Sequence, residues 1–167
     1  MSTYTRAWVV AERSDEIEQV LNGYKFMRQK AGAKSAAVLL DDVLPNFIGM
    51  NVVIVPVPTI SAHIRRRGYD HMALVARNFA RQRKLSYSPQ LIRRSNSVQL
   101  GSSKRQRFLN AKNAFAVKGS LDPEAVYLVV DDVVTTGATL GFAAQALLDA
   151  GASTVWAAAI ARQPLDK

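Results

Sequence analysis

Tyr127-Leu128-Val129-Val130-Asp131-Asp132-Val133-Val134-Thr135-Thr136-Gly137-Ala138-Thr139 decides the reading of this chain. Its apolar, β-branched opening reads as a short buried strand. Two adjacent carboxylates follow at the strand's carboxyl end, and then a small, hydroxyl-rich turn with one glycine. Downstream, Leu140, Ala143, Ala144, Leu147 and Leu148 recur at helical spacing, and Gly151 stands where a helix would stop. The order is therefore strand, acidic pair, phosphate-sized loop, helix. The first N–H groups of a helix lack partners and sit at the positive end of its dipole, so a phosphate there meets donors and a favourable field. Thr135, Thr136 and Thr139 add hydroxyls, and Gly137 allows positive φ and close approach. Asp131 and Asp132 repel phosphate, but suit sugar hydroxyls or a magnesium ion. A ribose 5-phosphate needs both halves.

These residues resemble the phosphoribosyl-pyrophosphate (PRPP) signature of type I phosphoribosyltransferases. The resemblance implies that Asp131 and Asp132 contact the ribose hydroxyls, and Mg²⁺ indirectly or through PRPP. It implies too that Thr135, Thr136, Gly137, Ala138 and Thr139 hold the 5-phosphate. The plainer alternative is a buried strand with two solvated acids and an ordinary turn. A Walker A loop is excluded, because no Gly-Lys-Ser/Thr follows.

A second unit has the same order. Asn51-Val-Val-Ile-Val-Pro-Val-Pro58 reads as a buried strand ended by Pro56 and Pro58. A loop from Thr59 to Gly68 follows, carrying His63 and Arg65-Arg66-Arg67. A helix then places Met72, Val75, Ala76, Phe79 and Ala80 on one face. In an open parallel sheet, ligands bind outside the carboxyl ends of the strands, so two such loops would share a crevice. The cationic one suits pyrophosphate, because guanidinium groups are always charged and bind phosphate oxygens in pairs. Pro58, Thr59, Arg65 and Arg67 are the candidates here.

Val55-Pro-Val-Pro58 followed by Arg66-Arg-Gly-Tyr-Asp-His71 resembles the ComF-type, competence-associated branch of that family. The branch usually has Arg-Gly-Phe-Asn-Gln where this chain has Arg67-Gly68-Tyr69-Asp70-His71. Both His63 and His71 read as ordinary loop or first-turn polar residues, too isolated for a metal site. Gln99, Arg107, Asn110 and Phe115 resemble a further branch pattern. The small, charged run Gly101–Arg107 has a lid's composition, and Arg107 would reach the pyrophosphate or order that lid. Members often carry an N-terminal cysteine-rich zinc module. This chain has no cysteine, so the module is expected to be absent or supplied by another polypeptide.

The remainder reads as packing. A short strand around residues 5–11 precedes a helix capped by Ser14, with Ile17, Val20, Leu21, Tyr24 and Met27 at helical spacing. A second helical piece covers Ser35 to Val43. Phe115 and Val117 begin a strand, and Ser153–Ile160 forms another buried one. The 167 residues suit one domain spanning 1–167, with 49% hydrophobic and 21% charged residues. The expected fold is α/β, type I phosphoribosyltransferase-like, with a mostly parallel central sheet and helices on both faces.

The absence of cysteine excludes disulfides and zinc–thiolate sites. No apolar run is long enough for a membrane span and no signal-peptide core is visible, so a cytoplasmic location is expected. A net charge of +9 fits either a nucleic acid or a small polyanion such as PRPP. No helix-turn-helix or aromatic RNA motif favours the former. The resemblance thus implies a PRPP-dependent phosphoribosyltransferase using Mg²⁺ and an unidentified nitrogen-base acceptor, with homodimers common in the fold. A non-catalytic PRPP or nucleotide sensor, or a DNA-uptake adaptor, is the alternative.

Overall fold

The computed structural model describes residues 3–12, 14, 17–19, 30–94 and 114–163. In chain order the elements are β1 (Arg6–Glu12), α1 (Lys30–Val43), β2 (Val52–Pro56), α2 (Ser61–Arg67), α3 (His71–Arg83), β3 (Ser86–Tyr87), β4 (Leu91–Arg93), β5 (Phe115–Val117), β6 (Val126–Val134), α4 (Ala138–Asp149) and β7 (Thr154–Arg162). Five strands form one sheet in the order β1-β7-β6-β2-β3. Every pairing in it is parallel. β4 and β5 form a separate antiparallel pair.

Helices cover both faces, as a parallel sheet requires. On one side, α1 and α3 bury Ala36, Leu40, Val75 and Phe79 against Ile54, Leu128, Val130 and Ile160. On the other, α4 packs Leu140, Ala143, Ala144 and Leu147 against Val55, Tyr127, Val129 and Ala157, with Leu91 and Phe115 of the small ribbon joining them. Alternation along β6 feeds both cores, since successive side chains leave a strand on opposite faces. Arg83, near the end of α3, ties the helices of the first face together. Its guanidinium bonds to the Asp41 carboxylate and to the carbonyls of Asp41, Leu44 and Pro45, and it lies over the rings of Phe47 and Phe79.

Several boundaries differ from the sequence reading. β6 does not stop before the acidic pair. It continues to Val134, because β7 goes on pairing beside it: Asp131 lies opposite Ala159 and Val134 opposite Arg162. Pro56 is the last residue of β2 rather than a break, and Val57 N still donates to Val130 O at 2.8 Å. The segment after Thr59 is no open loop. It forms α2, which ends at Gly68 in the left-handed conformation with φ 83°. The helix at Ser35 begins earlier, at Lys30. Of the helix expected after Ser14, residues 17–19 are described and helical, Glu18 N donating to Ser14 O at 2.8 Å. The rest of that helix lies outside the described residues.

Candidate functional site

β2 and β6 are neighbours, and their connections leave in opposite directions. The chain after β2 returns through α3 on one face, and the chain after β6 returns through α4 on the other. This is a topological switch point, where an open parallel sheet leaves a crevice beyond its carboxyl ends. The Pro58–Thr59 turn and the Thr135–Thr139 segment both emerge there. β2 ends opposite Val130, so β6 overhangs it by the two aspartates and two valines that follow.

Asp131 and Asp132 are consecutive in a strand and therefore part company. Asp131, 9% exposed, follows the parity of Tyr127 and Val129 toward the α4 face. Its field reaches Arg93 of β4. Burial holds the Arg93 guanidinium below its usual pKa, while the Asp131 carboxylate pushes it back up. Arg93 lies over the Phe115 ring and its Nε donates to Pro58 O at 3.3 Å. Asp132 follows Leu128 and Val130 toward α3. There Oδ2 lies 3.1 Å from Nε2 of His71, and Oδ1 accepts from Val133 N at 2.7 Å.

His71 is buried, 5% exposed, at the first position of α3. Its Nδ1 lies 3.1 Å from a terminal nitrogen of Arg67 and 3.3 Å from Thr59 Oγ1. Asp70, the N-cap of α3, accepts from Ala73 N, Thr59 N and Thr59 Oγ1. Thr59, Arg67 and Asp132 are thus drawn together around an imidazole that reads in the sequence as an ordinary first-turn residue. Arg93 was likewise missed. Its neighbours in the chain carry no motif, and its position depends on the β4–β5 pairing.

The Thr135–Thr139 segment opens to solvent, Thr135, Thr136, Ala138 and Thr139 all being exposed. Gly137 is the N-cap of α4 at φ 78°, a conformation that disfavours any side chain, and makes no side-chain cap bond. Ala138 N faces Thr136 Oγ1 at 3.4 Å. Tyr4 approaches from the N-terminal segment, its hydroxyl 3.3 Å from where a Cβ at 137 would stand. Arg65 is exposed on α2 and Arg67 half-buried, so the basic triplet is split between solvent and the His71 cluster. Arg107, Gln99 and Asn110 lie outside the described residues. Among the described residues, no group of three His, Cys, Asp or Glu could hold a metal ion. None of their helices is long and apolar enough to cross a membrane.

The DNA utilization protein YhgH of Salmonella typhimurium is 34% identical over 154 residues, covering 87% of this chain and 67% of that protein. The chain belongs to the ComF-type family. The competence protein ComFC of Bacillus subtilis is 30% identical, over 83% of this chain and 56% of its own. The chain thus spans about two thirds of YhgH and little more than half of ComFC. No family model matches it. Among solved structures, a hypoxanthine phosphoribosyltransferase from Staphylococcus aureus aligns with a TM-score of 0.44 and 14% identity, covering 89% of this chain and 65% of that one. The expected α/β architecture, a mostly parallel central sheet with helices on both faces, is the one described above.

Proposed function

We propose that this ComF-type chain binds PRPP in the switch-point crevice and transfers its 5-phosphoribosyl group to a nitrogen base, releasing pyrophosphate. One observation carries the reading. A hydroxyl-rich helix start and a turn leading into the cationic helix α2 emerge from adjacent parallel strands, with the two carboxylates overhanging between them. On this reading, Thr135–Thr139 hold the 5-phosphate, and Thr59, Arg65, Arg67 and the backbone at Pro58 hold the pyrophosphate. Asp131 and Asp132 hold the ribose and oppose the positive charge that develops on it. The work is positioning and charge stabilisation.

The carboxylates leave opposite faces of β6 and form no shared cage for a cation. That arrangement fits Mg²⁺ carried mainly by phosphate oxygens and reached by one carboxylate or its water. When bound, the ion would neutralise the leaving pyrophosphate.

The names of the relatives favour a second reading, a non-catalytic PRPP or nucleotide sensor or an adaptor in DNA handling. Titration calorimetry with PRPP, with and without Mg²⁺ and with ATP and pyrophosphate as controls, tests the binding. Pyrophosphate release across a nucleobase panel tests turnover. Selective PRPP binding without release would support the sensor. DNA binding without PRPP binding would move the assignment to the adaptor.

A further inference from the structure

Of the two histidines, His63 is exposed on α2 and His71 is buried between α3 and β6. The contacts of His71 assign its protons. Arg67 lies 3.1 Å from Nδ1, and a guanidinium can only donate. Thr59 also faces Nδ1, at 3.3 Å, but gives its hydroxyl proton to Asp70 Oδ1 at 2.9 Å. Nδ1 therefore accepts from Arg67, and the proton of the neutral ring sits on Nε2. That N–H points at Asp132 Oδ2, 3.1 Å away. The carboxylate is then gripped at both oxygens, by Val133 N on Oδ1 and by His71 on Oδ2. Two bonds on two oxygens fix the plane of the carboxylate, which is what recognition of a sugar diol needs.

We propose that His71 is a positioning residue: Arg67 keeps it in the Nε2–H tautomer, and in that form it orients Asp132 toward the ribose hydroxyls of a bound phosphoribosyl ligand. A chain of donors thus joins the cationic helix α2 to the sugar-facing end of β6. This role rests on the PRPP reading above. It predicts a particular ranking of substitutions, because a glutamine amide can also donate to Asp132 and an alanine cannot.

The test has two parts, both on the full chain. Nitrogen NMR of the imidazole in the free protein reads the tautomer directly. The expected spectrum is a neutral ring protonated at Nε2, passing to a tautomer mixture in Arg67→Ala. Calorimetry then compares ribose 5-phosphate and pyrophosphate binding in wild type, His71→Ala and His71→Gln. His71→Ala should weaken ribose 5-phosphate about tenfold, His71→Gln no more than about threefold, and pyrophosphate should change less than either. An Nδ1-protonated ring in the free protein, or equal loss in the two variants, would overturn the proposal. Wild-type protein that shows the expected tautomer yet binds neither PRPP nor ribose 5-phosphate would instead sink the PRPP reading, and the ribose role with it.

Discussion

Asp70 holds Thr59 by both of that residue's donors, taking the backbone N–H on Oδ2 at 3.2 Å and the hydroxyl on Oδ1 at 2.9 Å. The same carboxylate caps α3 through Ala73 N. An asparagine would keep one oxygen but set an N–H₂ against one of these donors. Asp70→Asn should therefore cost about 1–2 kcal/mol of unfolding free energy, measured by urea denaturation. A midpoint unchanged from wild type would mean that the turn at Thr59 is held by other contacts.

Both carboxylates of β6 serve the ligand in the proposed reading, from opposite faces. Asp131→Asn with Asp132→Asn should weaken PRPP binding more than about 100-fold, since each removes hydrogen bonds to a charged acceptor. Far-ultraviolet circular dichroism should be unaltered, because each amide fits its carboxylate's volume. PRPP affinity at the wild-type level in the folded double variant would remove these two residues from the site.

Arg67→Ala should weaken pyrophosphate about tenfold and ribose 5-phosphate less, both read by calorimetry. Equal losses for the two ligands would count against a diphosphate role for α2.

Arg83 satisfies three carbonyls around the end of α1 while stacking on two buried rings. Arg83→Ala should lower stability by about 2–3 kcal/mol, and Arg83→Lys should recover little, because an ammonium cannot reproduce the planar fork. Urea midpoints check both variants. Full recovery by lysine would show that charge alone matters there.

Tyr87 gives a pH dependence. Burial raises its pKa above 10.0, against the lowering pull of Arg77, which lies over its ring. A raised folded pKa means the unfolded chain releases the proton first as pH climbs. The associated stability is complete below about pH 10 and is lost as pH rises through the folded value. Tyr87→Phe cannot lose it, so the stability gap between wild type and variant should shift in the variant's favour between about pH 8 and about pH 10.5. A gap that stays constant over that range would contradict the direction.

Much of this was readable in advance where the information is local. The apolar, β-branched run from Tyr127 to Val130, the turn at Gly137 and the stripe Leu140, Ala143, Ala144, Leu147 announce a strand, loop and helix from local sequence. In the second unit, β2 and the helical face Met72, Val75, Ala76, Phe79, Ala80 do the same. Helix α2 escaped because it buries no residue and so shows no apolar stripe; its end is set by Gly68. The true end of β6 escaped because it depends on how far β7 runs beside it. His71 looked ordinary because its partner, Asp132, stands 61 positions away in the chain. No spacing rule carries that contact. Arg107 lies outside the described residues, and its part in the site rests on the resemblance.

Among the described strands, the edge strand β1 is paired with β7 alone, Arg6 standing opposite Trp156 and Glu12 opposite Arg162. The two partners Arg6 and Trp156 stand 150 positions apart in the chain. Until β7 is in place, β1 has no strand beside it among the described strands, and β6 too waits for β7 on that side. Long-range parallel pairing of this kind is slow and exposes nascent chains to wrong partners. A chain without β7 would therefore leave β1 detached and one edge of the central strand β6 open, so the last of the described strands to be made is the one that closes the sheet.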